Sequence, residues 1–378
     1  MKNLKILQVC SSRAWGGMEM HVVRIASALK ERGHDVTILC YPQSSLFSAS
    51  QKKGVPCIAM RLDSYFRPVQ MFRLVDYLKE NSFDMLHCHY TKDLWSLIPA
   101  VGLVGGGNVV VSKGVGPGKR KADPFHKWIY KHVNGFIAKS GYLHRRVLEA
   151  YPVEPEKVVL LHNGVDLKRF DPELHNGDKV REEFSIGKQE RIVGTVGRIS
   201  PAKGHTELLQ AATRVKEILP RTKFLIVGDA SQDEAWYDRE VRQCVKKLGL
   251  NGHAIFTGFR EDIPAVLAAL DLFVLPSHSE AFGNTLVEAM AMGKACIATA
   301  AGGVLDIVED GISGLLIPPR DVEALVEAIV LLLKDTSKRE QFGQTGRRRV
   351  EDTFDMNHII ARLEELYLHI LREGKRVA

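Results

Sequence analysis

Short apolar runs alternate with amphipathic stretches along the whole chain. Residues 4–10 form the first apolar run, and 18–32 follow with apolar positions at helical spacing and a glycine behind them. The same alternation predicts further strands at 35–40, 55–59, 83–87, 108–111, 135–139, 158–161, 192–196, 224–227, 254–257, 270–275, 295–299 and 314–317. It predicts further helices at 69–79, 207–217, 233–248, 284–291, 322–333 and 359–371. Strands that alternate with helices indicate parallel sheets covered on both faces.

The pattern is interrupted near the middle of the chain. Residues 163–178 contain Asp171-Pro172 and Asn176-Gly177, a composition typical of a linker. A chain of 378 residues is also long enough for two domains. We therefore predict an α/β fold of two doubly wound, Rossmann-like domains, 1–168 and 169–356, followed by a tail helix at 357–378. Ligands of such sheets bind at the carboxyl ends of the strands.

Composition excludes several classes of protein. The chain is 45% hydrophobic and 26% charged, so a disordered or low-complexity protein is not expected. No apolar run reaches the roughly 20 residues of a membrane-spanning helix, and the N-terminal run is predicted to be a strand, not a signal peptide. Six scattered cysteines without a CxxC pair indicate buried, reduced thiols. These features predict a cytoplasmic protein.

Charge is distributed unevenly between the two halves. Residues 1–169 hold 25 Lys and Arg against 13 Asp and Glu, whereas residues 170–378 hold 27 against 32. The densest basic segment, 112–132, carries Lys113, Lys119, Arg120, Lys121, Lys127 and Lys131 against Asp123, with Phe125, Trp128, Ile129 and Tyr130 among them. Anionic lipid, a phosphorylated glycan and nucleic acid are all candidate partners of such a surface. Charge alone does not separate these partners from a merely solvated loop.

The strongest chemical motif is the stretch 280–293, which follows a predicted strand and opens a helix at about Asn284. Backbone N–H groups at a helix start attract anions, so a pyrophosphate could bind at Asn284, Thr285 and Leu286. Glu280 precedes the helix and Glu288 lies one turn inside it. Both carboxylates could accept hydrogen bonds from sugar hydroxyls, although ordinary first-turn acids explain them equally well.

Three weaker motifs also follow predicted strands. Arg198 and Lys203 share one strand-to-helix loop and could clamp a diphosphate. The Gly16-Gly17 pair would let the backbone approach a ligand closely, or simply make a tight turn. His87 and His89 share one face of a strand, but without a nearby Cys or acid they indicate no metal site. A single histidine at that strand end could contact a substrate.

Taken together and in this order, the motifs resemble the retaining GT-B glycosyltransferases of glycosyltransferase family 4, nearly end to end. The resemblance is carried by Gly16-Gly17, Asn163-Gly164-Val165-Asp166, Phe170, Gly197-Arg198, Lys203-Gly204, Gly258-Phe259-Arg260, Pro276-Ser277, the Glu280 and Glu288 pair, Gly302-Gly303, Asp310-Gly311 and Gly314-Leu315. It implies two domains facing a cleft, and a nucleotide-sugar donor, UDP- or GDP-linked, bound by the second domain. It also implies that the tail helix at 357–378 packs back on the first domain.

The resemblance also assigns residues to the donor. Arg198 and Lys203 match the diphosphate-binding pair, Glu288 the acid that holds the ribose, and Glu280 the acid near the donor sugar. The remaining donor positions are Gly16 and Gly17 from the first domain, Phe259 and Arg260 at the nucleobase, and Phe282, Gly283, Asn284, Thr285 and Leu286 beside the phosphates and sugar.

The sequence departs from the family at one catalytic position. Many members carry a histidine just after the fifth strand, whereas this chain has Ser112-Lys113-Gly114 there. Lys113 and His89 are the alternatives for that role. Together with Glu280, Arg198 and Lys203 they are the predicted catalytic residues.

The resemblance implies a retaining hexosyltransferase, and the fixed cations of its donor site predict that it needs no metal and no cofactor. Arg198, Lys203 and the helix start would stabilise the departing diphosphate. The basic first half predicts a glycan or lipid-linked anionic acceptor, as in lipopolysaccharide or other cell-envelope synthesis, and peripheral docking on the inner leaflet. A nucleotide-sugar epimerase of the same form is the alternative enzyme. A nucleic-acid binder is not expected, because no such module is recognisable.

Overall fold

The chain forms two compact units, each built around its own parallel sheet. The computed structural model describes residues 3–62, 67–114 and 120–374. One unit comprises Met1–Gly164 together with Met356–Ala378, and the other comprises Val165–Asp355. The chain thus enters the second unit slightly earlier than the predicted boundary. The reason is that Val165 and Phe170, which the sequence places in a linker, are buried in the core of the second unit.

Seven strands form the sheet of the first unit. They are β1 (Lys5–Cys10), β2 (Asp35–Cys40), β3 (Cys57–Ala59), β4 (Met85–Cys88), β5 (Val109–Lys113), β6 (Gly135–Ala138) and β7 (Val158–Leu160). The strands are parallel, in the order β3-β2-β1-β4-β5-β6-β7. The order reverses between β1 and β4, which creates a crevice at the carboxyl ends of these two strands.

Helices cover both faces of this sheet, as a parallel sheet requires. They are α1 (Gly17–Glu31), α2 (Ser45–Lys52), α3 (Pro68–Glu80), α4 (Leu94–Leu103), α5 (Pro124–Lys131) and α6 (Gly141–Ala150). Part of the basic segment 112–132 forms α5, which begins behind the capping side chain of Asp123. Lys119 of that segment lies outside the described residues.

The second unit repeats the architecture with six parallel strands. They are β8 (Arg191–Val196), β9 (Thr222–Val227), β10 (Ala254–Gly258), β11 (Leu272–Leu275), β12 (Cys296–Thr299) and β13 (Leu315–Ile317), in the order β10-β9-β8-β11-β12-β13. The accompanying helices are α7 (Asp178–Glu183), α8 (His205–Ile218), α9 (Ala235–Lys247), α10 (Ile263–Ala269), α11 (Asn284–Ala291), α12 (Val304–Ile307), α13 (Val322–Lys334) and α14 (Thr336–Thr353). The α/β class predicted from the sequence is confirmed.

All thirteen predicted strands occur, with ends that shift by at most two residues, but the helices were predicted less completely. The clearest omission is α14, which spans 18 residues. Its buried face is made of Phe342, Gly343, Gly346 and Val350, so half of that face is glycine. A hydrophobic periodicity cannot reveal a helix that packs through glycines.

The tail helix α15 (Met356–Gly374) returns to the first unit. Its apolar stripe, which includes Ile359, Leu363 and Ile370, joins the core formed by β1, β2 and α1. Within that contact Glu364 binds Arg32 at 2.7 Å and His34 at 2.8 Å. Burial alone would raise the pKa of Glu364, but the hydrogen bonds from Arg32 and His34 outweigh it and lower the pKa. The helix is therefore held by a carboxylate as well as by apolar contacts.

The cysteines are all free, and Cys10, Cys40, Cys88 and Cys296 are buried, as the sequence predicts. Among the residues that the structure describes, none of the helices is both long enough and apolar enough to cross a membrane.

We expect Glu364→Ala to lower the free energy of unfolding by about 2–3 kcal/mol, because it leaves Arg32 and His34 without their carboxylate. The neighbouring exposed Glu365→Ala should change it by less than about 0.5 kcal/mol. Since the folded-state pKa of Glu364 is lowered, its contribution is present above the unfolded-state pKa of about 4.3 and is lost as the pH falls through the lower folded value. Urea unfolding at neutral and acid pH measures this, and equal effects of the two variants would contradict the assignment.

Candidate functional site

The two basic residues predicted in one loop lie directly after β8, at the carboxyl edge of the second sheet. Pro201–Lys203 forms a single 3-10 turn, and Gly204 ends it in the left-handed conformation, with φ of 68°. A Cβ at Gly204 would lie 1.9 Å from the carbonyl oxygen of Pro276. Glycine is therefore required here, because the turn that carries Lys203 packs directly on the backbone of the loop after β11.

Lys203 and Glu280, predicted from separate motifs, meet across these two loops. The ammonium of Lys203 donates to Oε1 of Glu280, and the hydroxyl of Ser277 donates to the same oxygen at 2.9 Å. A third loop closes over them, since Gly303 N–H donates to the carbonyl oxygen of Glu280 at 2.9 Å. A cation and a carboxylate thus share one partly buried position at the start of α11.

Helix α11 begins at Asn284, as predicted, and its N-cap is Gly283. Glycine has no side chain to cap the first turn, so this helix start presents its backbone without a side-chain cap. Leu286 N–H donates to the carbonyl oxygen of Gly283 at 3.1 Å within this first turn. Phe282, Leu286 and Glu288 are buried, which places the carboxylate of Glu288 inside the unit, one turn beyond the helix start.

The remaining donor positions of this unit lie at the same edge. Arg198 is exposed, and its Nε lies 3.4 Å from Oε2 of Glu234. Phe259 follows β10, is 51% exposed, and donates its N–H to Asp229 at 2.8 Å. Arg260 points elsewhere: its guanidinium binds Asp262 and Glu183, which raise its pKa. Of the two predicted nucleobase residues, only Phe259 therefore presents an open side chain.

In the first unit, Gly16 and Gly17 follow β1, and Gly16 is the N-cap of α1. A Cβ at Gly16 would make only an ordinary 3.7 Å contact with Glu19. Packing among the described residues of this unit therefore does not require a glycine at this position. A glycine here is consistent with close approach of a ligand to the backbone.

His87 lies in β4 and His89 directly follows this strand, and both are buried, with stacked rings 4.1 Å apart. His87 lies between two hydroxyls, Tyr367 Oη at 2.6 Å and Ser112 Oγ at 2.8 Å. Burial, aided by Lys139, lowers the pKa of His87 to about 3. Burial also lowers the pKa of His89, whose Nε2 contacts Gln8 Oε1 at 2.6 Å. Both imidazoles are thus neutral, and His89 Nδ1 has no partner among the described residues.

Lys113 ends β5, with its ammonium 5.6 Å from the centre of the Tyr151 ring. Burial, followed by the charge of Lys121, lowers the pKa of Lys113 to about 8. Lys139, a residue that the motif analysis missed, follows β6 and is 4% exposed. A lysine at the end of an apolar strand was the only signal in the sequence for it.

The described residues contain no group of three or more His, Cys, Asp or Glu side chains arranged to hold a metal ion.

Comparisons with known proteins agree with the order of these motifs. A family model described as "Glycosyl transferases group 1" matches residues 176–349, and one described as "Glycosyltransferase Family 4" matches residues 15–169. The D-inositol 3-phosphate glycosyltransferase of Nocardia farcinica is 27% identical over 395 aligned positions, which cover 95% of this chain and 86% of that protein.

Two solved structures have the same fold. A glycosyltransferase from Rickettsia africae superposes with a TM-score of 0.88 and 24% identity, covering 98% of this chain and 99% of the other. Anabaena HepE, in complex with UDP and glucose, superposes with a TM-score of 0.83 and 24% identity, covering 96% and 99%. The GT-B form predicted from the sequence is thereby confirmed.

We expect Gly204→Ala to lower the free energy of unfolding by about 3 kcal/mol, because it adds a clash with Pro276 to the cost of a left-handed backbone. Gly249→Ala is the matched control. Gly249 has a similar φ of 65° but no atom within 4 Å of the added Cβ, so the loss should be only about 1 kcal/mol. Thermal or chemical unfolding of both variants measures the difference, and equal losses would mean that the two loops do not pack as described.

Proposed function

Because this chain belongs to glycosyltransferase family 4, we propose that it transfers a sugar, with retention of anomeric configuration, from a UDP- or GDP-linked donor to an anionic acceptor. The observation that carries the proposal is the meeting of Lys203 and Glu280 beside the start of α11. A cation, a carboxylate and a helix N-terminus at one sheet edge fit the three parts of a nucleotide sugar next to its scissile bond.

Each part of the donor has a partner of suitable chemistry in the second unit. The diphosphate would take Arg198, Lys203 and the first turn of α11, with the amides of Asn284 and Thr285 nearest. Glu288 would accept hydrogen bonds from the ribose hydroxyls. Phe259, with its open ring, would lie against the nucleobase. Gly16 and Gly17 of the first unit would let the backbone approach the donor.

The same cations would make the reaction independent of a metal. As the glycosyl–phosphate bond breaks, its electron pair goes to the departing phosphate, and Arg198 and Lys203 would stabilise the growing charge. The acceptor hydroxyl would attack the anomeric carbon from the side of the leaving group and give its proton to a phosphate oxygen. Glu280 is less suited to act as a covalent nucleophile, because its Oε1 already accepts from Lys203 and Ser277. Lys113 and His89 are the candidates for positioning the acceptor hydroxyl.

The acceptor would be a glycan or a lipid-linked glycan of the cell envelope, such as the lipopolysaccharide core. Support comes from the basic first half of the chain and from α5, on which Phe125 is 64% exposed and Trp128 is 44% exposed. Lys127 and Lys131 of the same helix would meet anionic headgroups while the aromatic rings enter the interface. The related Nocardia protein is named for a phosphorylated acceptor, inositol 3-phosphate.

Nucleotide binding tests the donor site. We expect one nucleoside diphosphate among UDP, GDP and ADP to stabilise the protein by about 2.7 kcal/mol at 100 times its Kd, with no shift from NAD. We expect the affinity for that nucleotide to fall by about ten-fold or more in each of three variants, Glu288→Ala, Arg198→Ala and Lys203→Ala, since each removes a charged hydrogen-bonding group. Arg260→Ala is a matched control, because its guanidinium is bound to two carboxylates. If no nucleoside diphosphate shifts the melting curve, the proposal fails.

The product tests the reaction. Incubation with the sugar nucleotide that binds and an acceptor should give one anomer with the donor's configuration, unchanged by EDTA. An inverted product or a requirement for a divalent ion would contradict the mechanism. Conversion of the sugar nucleotide into its epimer without an acceptor would favour the epimerase instead.

Sedimentation with lipid vesicles tests the membrane surface. We expect Phe125→Ser with Trp128→Ser to reduce binding to vesicles that contain phosphatidylglycerol by about ten-fold, because two rings leave the interface. Trp236→Ser removes a ring that is 53% exposed on α9 of the second unit and should have no effect. Equal loss in both variants, or none in either, would argue against docking through α5.

A further inference from the structure

Lys139 is a buried cation without a partner at the carboxyl edge of the first sheet. It directly follows β6, and only 4% of its surface is exposed. It forms no hydrogen bond and no ion pair with any residue in the part of the chain that the structure describes. An ammonium withdrawn from water in this way is costly unless an anion accompanies it. Two partly buried lysines of the second unit, by contrast, have partners: Lys203 binds Glu280, and Lys294 donates to two carbonyl oxygens.

Lys139 lines a small cavity in which polar and aliphatic side chains meet. His21, His87, Ser112 and His162 line it together with Lys139, and aliphatic side chains form much of the remaining wall. Its volume is enough for about one water molecule, which is also the size of one oxyanion oxygen. A Cβ at Gly114 would lie 4.0 Å from the Lys139 ammonium, which is an ordinary van der Waals contact.

The surrounding groups do not neutralise the lysine. Burial lowers the pKa values of His21, His87 and His89, and it raises that of Cys10, so all four are uncharged at neutral pH. Glu19, buried on α1, is the one acid in the described chain whose charge acts on Lys139, and it forms no ion pair with it. Lys113, at the end of β5, adds a further positive charge at the same edge. The environment is therefore suited to an added negative charge.

We propose that Lys139 anchors an oxyanion subsite at this edge and that the anion is a phosphate group carried by the acceptor. One phosphate oxygen enters the cavity beside the ammonium, where the hydroxyl of Ser112 also lies. The assignment of the phosphate to the acceptor rests on the proposed glycosyl transfer, whereas the subsite itself does not. Substrates without a negative charge would then leave the lysine unpaired and would bind more weakly.

Sulfate and inorganic phosphate are the probes, used on the full chain with the donor site saturated by whichever nucleoside diphosphate stabilises it. We expect Lys139→Met to weaken sulfate binding in calorimetry by about ten-fold or more, and Lys139→Arg to retain it. Lys52→Met, which removes an exposed cation at the end of α2, is the charge-matched control and should leave binding unchanged. Wild-type affinity in Lys139→Met, or equal loss in Lys52→Met, would overturn the proposal.

A pH series separates an anion site from a merely structural lysine. Burial lowers the pKa of Lys139 to about 7, so its positive charge is present below that pH and lost above it. Sulfate does not titrate in this range, and an arginine stays charged throughout. Between about pH 6 and about pH 8, sulfate affinity should therefore fall in the wild type and stay level in Lys139→Arg. Parallel curves would overturn the proposal, even if Lys139→Met failed to fold.

The carrier of the phosphate is identified by two further probes. Glycerol 3-phosphate represents a soluble phosphate monoester, and vesicles with phosphatidylglycerol represent a lipid headgroup. If binding of either probe requires Lys139, the result supports the subsite and identifies which kind of molecule carries the phosphate. If binding of neither probe requires Lys139, the subsite is overturned. If no nucleoside diphosphate binds but sulfate still requires Lys139, the proposed function fails and the subsite stands.

Discussion

The close packing of three loops at one edge of the second sheet is the constraint on which the proposed donor site depends. These loops follow β8, β11 and β12, which are neighbours in the sheet, so parallel topology brings them together at their carboxyl ends. Glycines allow these loops to approach each other closely. A Cβ at Gly204 would clash with Pro276, and a Cβ at Gly302 would lie 2.0 Å from the carbonyl oxygen of Glu280. Only at this separation can a lysine of the first loop reach a carboxylate of the second.

The sequence predicts the fold well because the signal for a parallel sheet is local. Each strand is a short apolar run bounded by other residue patterns, and all thirteen strands of the described residues were found in this way. Some helices were not predicted, and the physical reason lies in how they pack. Helix α14 makes its contacts through glycines, and a Cβ at Gly343 would lie 2.2 Å from the carbonyl oxygen of Gly293. Helix α4 is apolar on nearly every side and contains Pro99, so no amphipathic stripe marks it.

The sequence offers candidate members of the site but not the contacts between them. Arg198, Lys203, Glu280 and Glu288 are candidates because each follows a strand or lies near a helix start, and their roles stay predictions. The ion pair of Lys203 with Glu280, and the commitment of Arg260 to Asp262 and Glu183, depend on side-chain positions that no motif encodes. Lys139 escaped notice for a related reason, since its importance lies in the absence of a partner among the described residues. That property exists only after folding.

The lysines at the two sheet edges differ in whether a carboxylate pairs with them, and this difference bears on how the donor and the acceptor would bind. At the second sheet, Lys203 is already paired with Glu280, so a diphosphate bound as we propose would either share the lysine or displace the carboxylate. Either result would change the charge beside the donor sugar as the donor binds. At the first sheet, Lys139 forms no ion pair with a described residue, so its positive charge, which is greatest below its lowered pKa of about 7, is open to an anion. In the proposed reaction the protein would exchange one ion pair to bind its donor and form a new one to bind its acceptor.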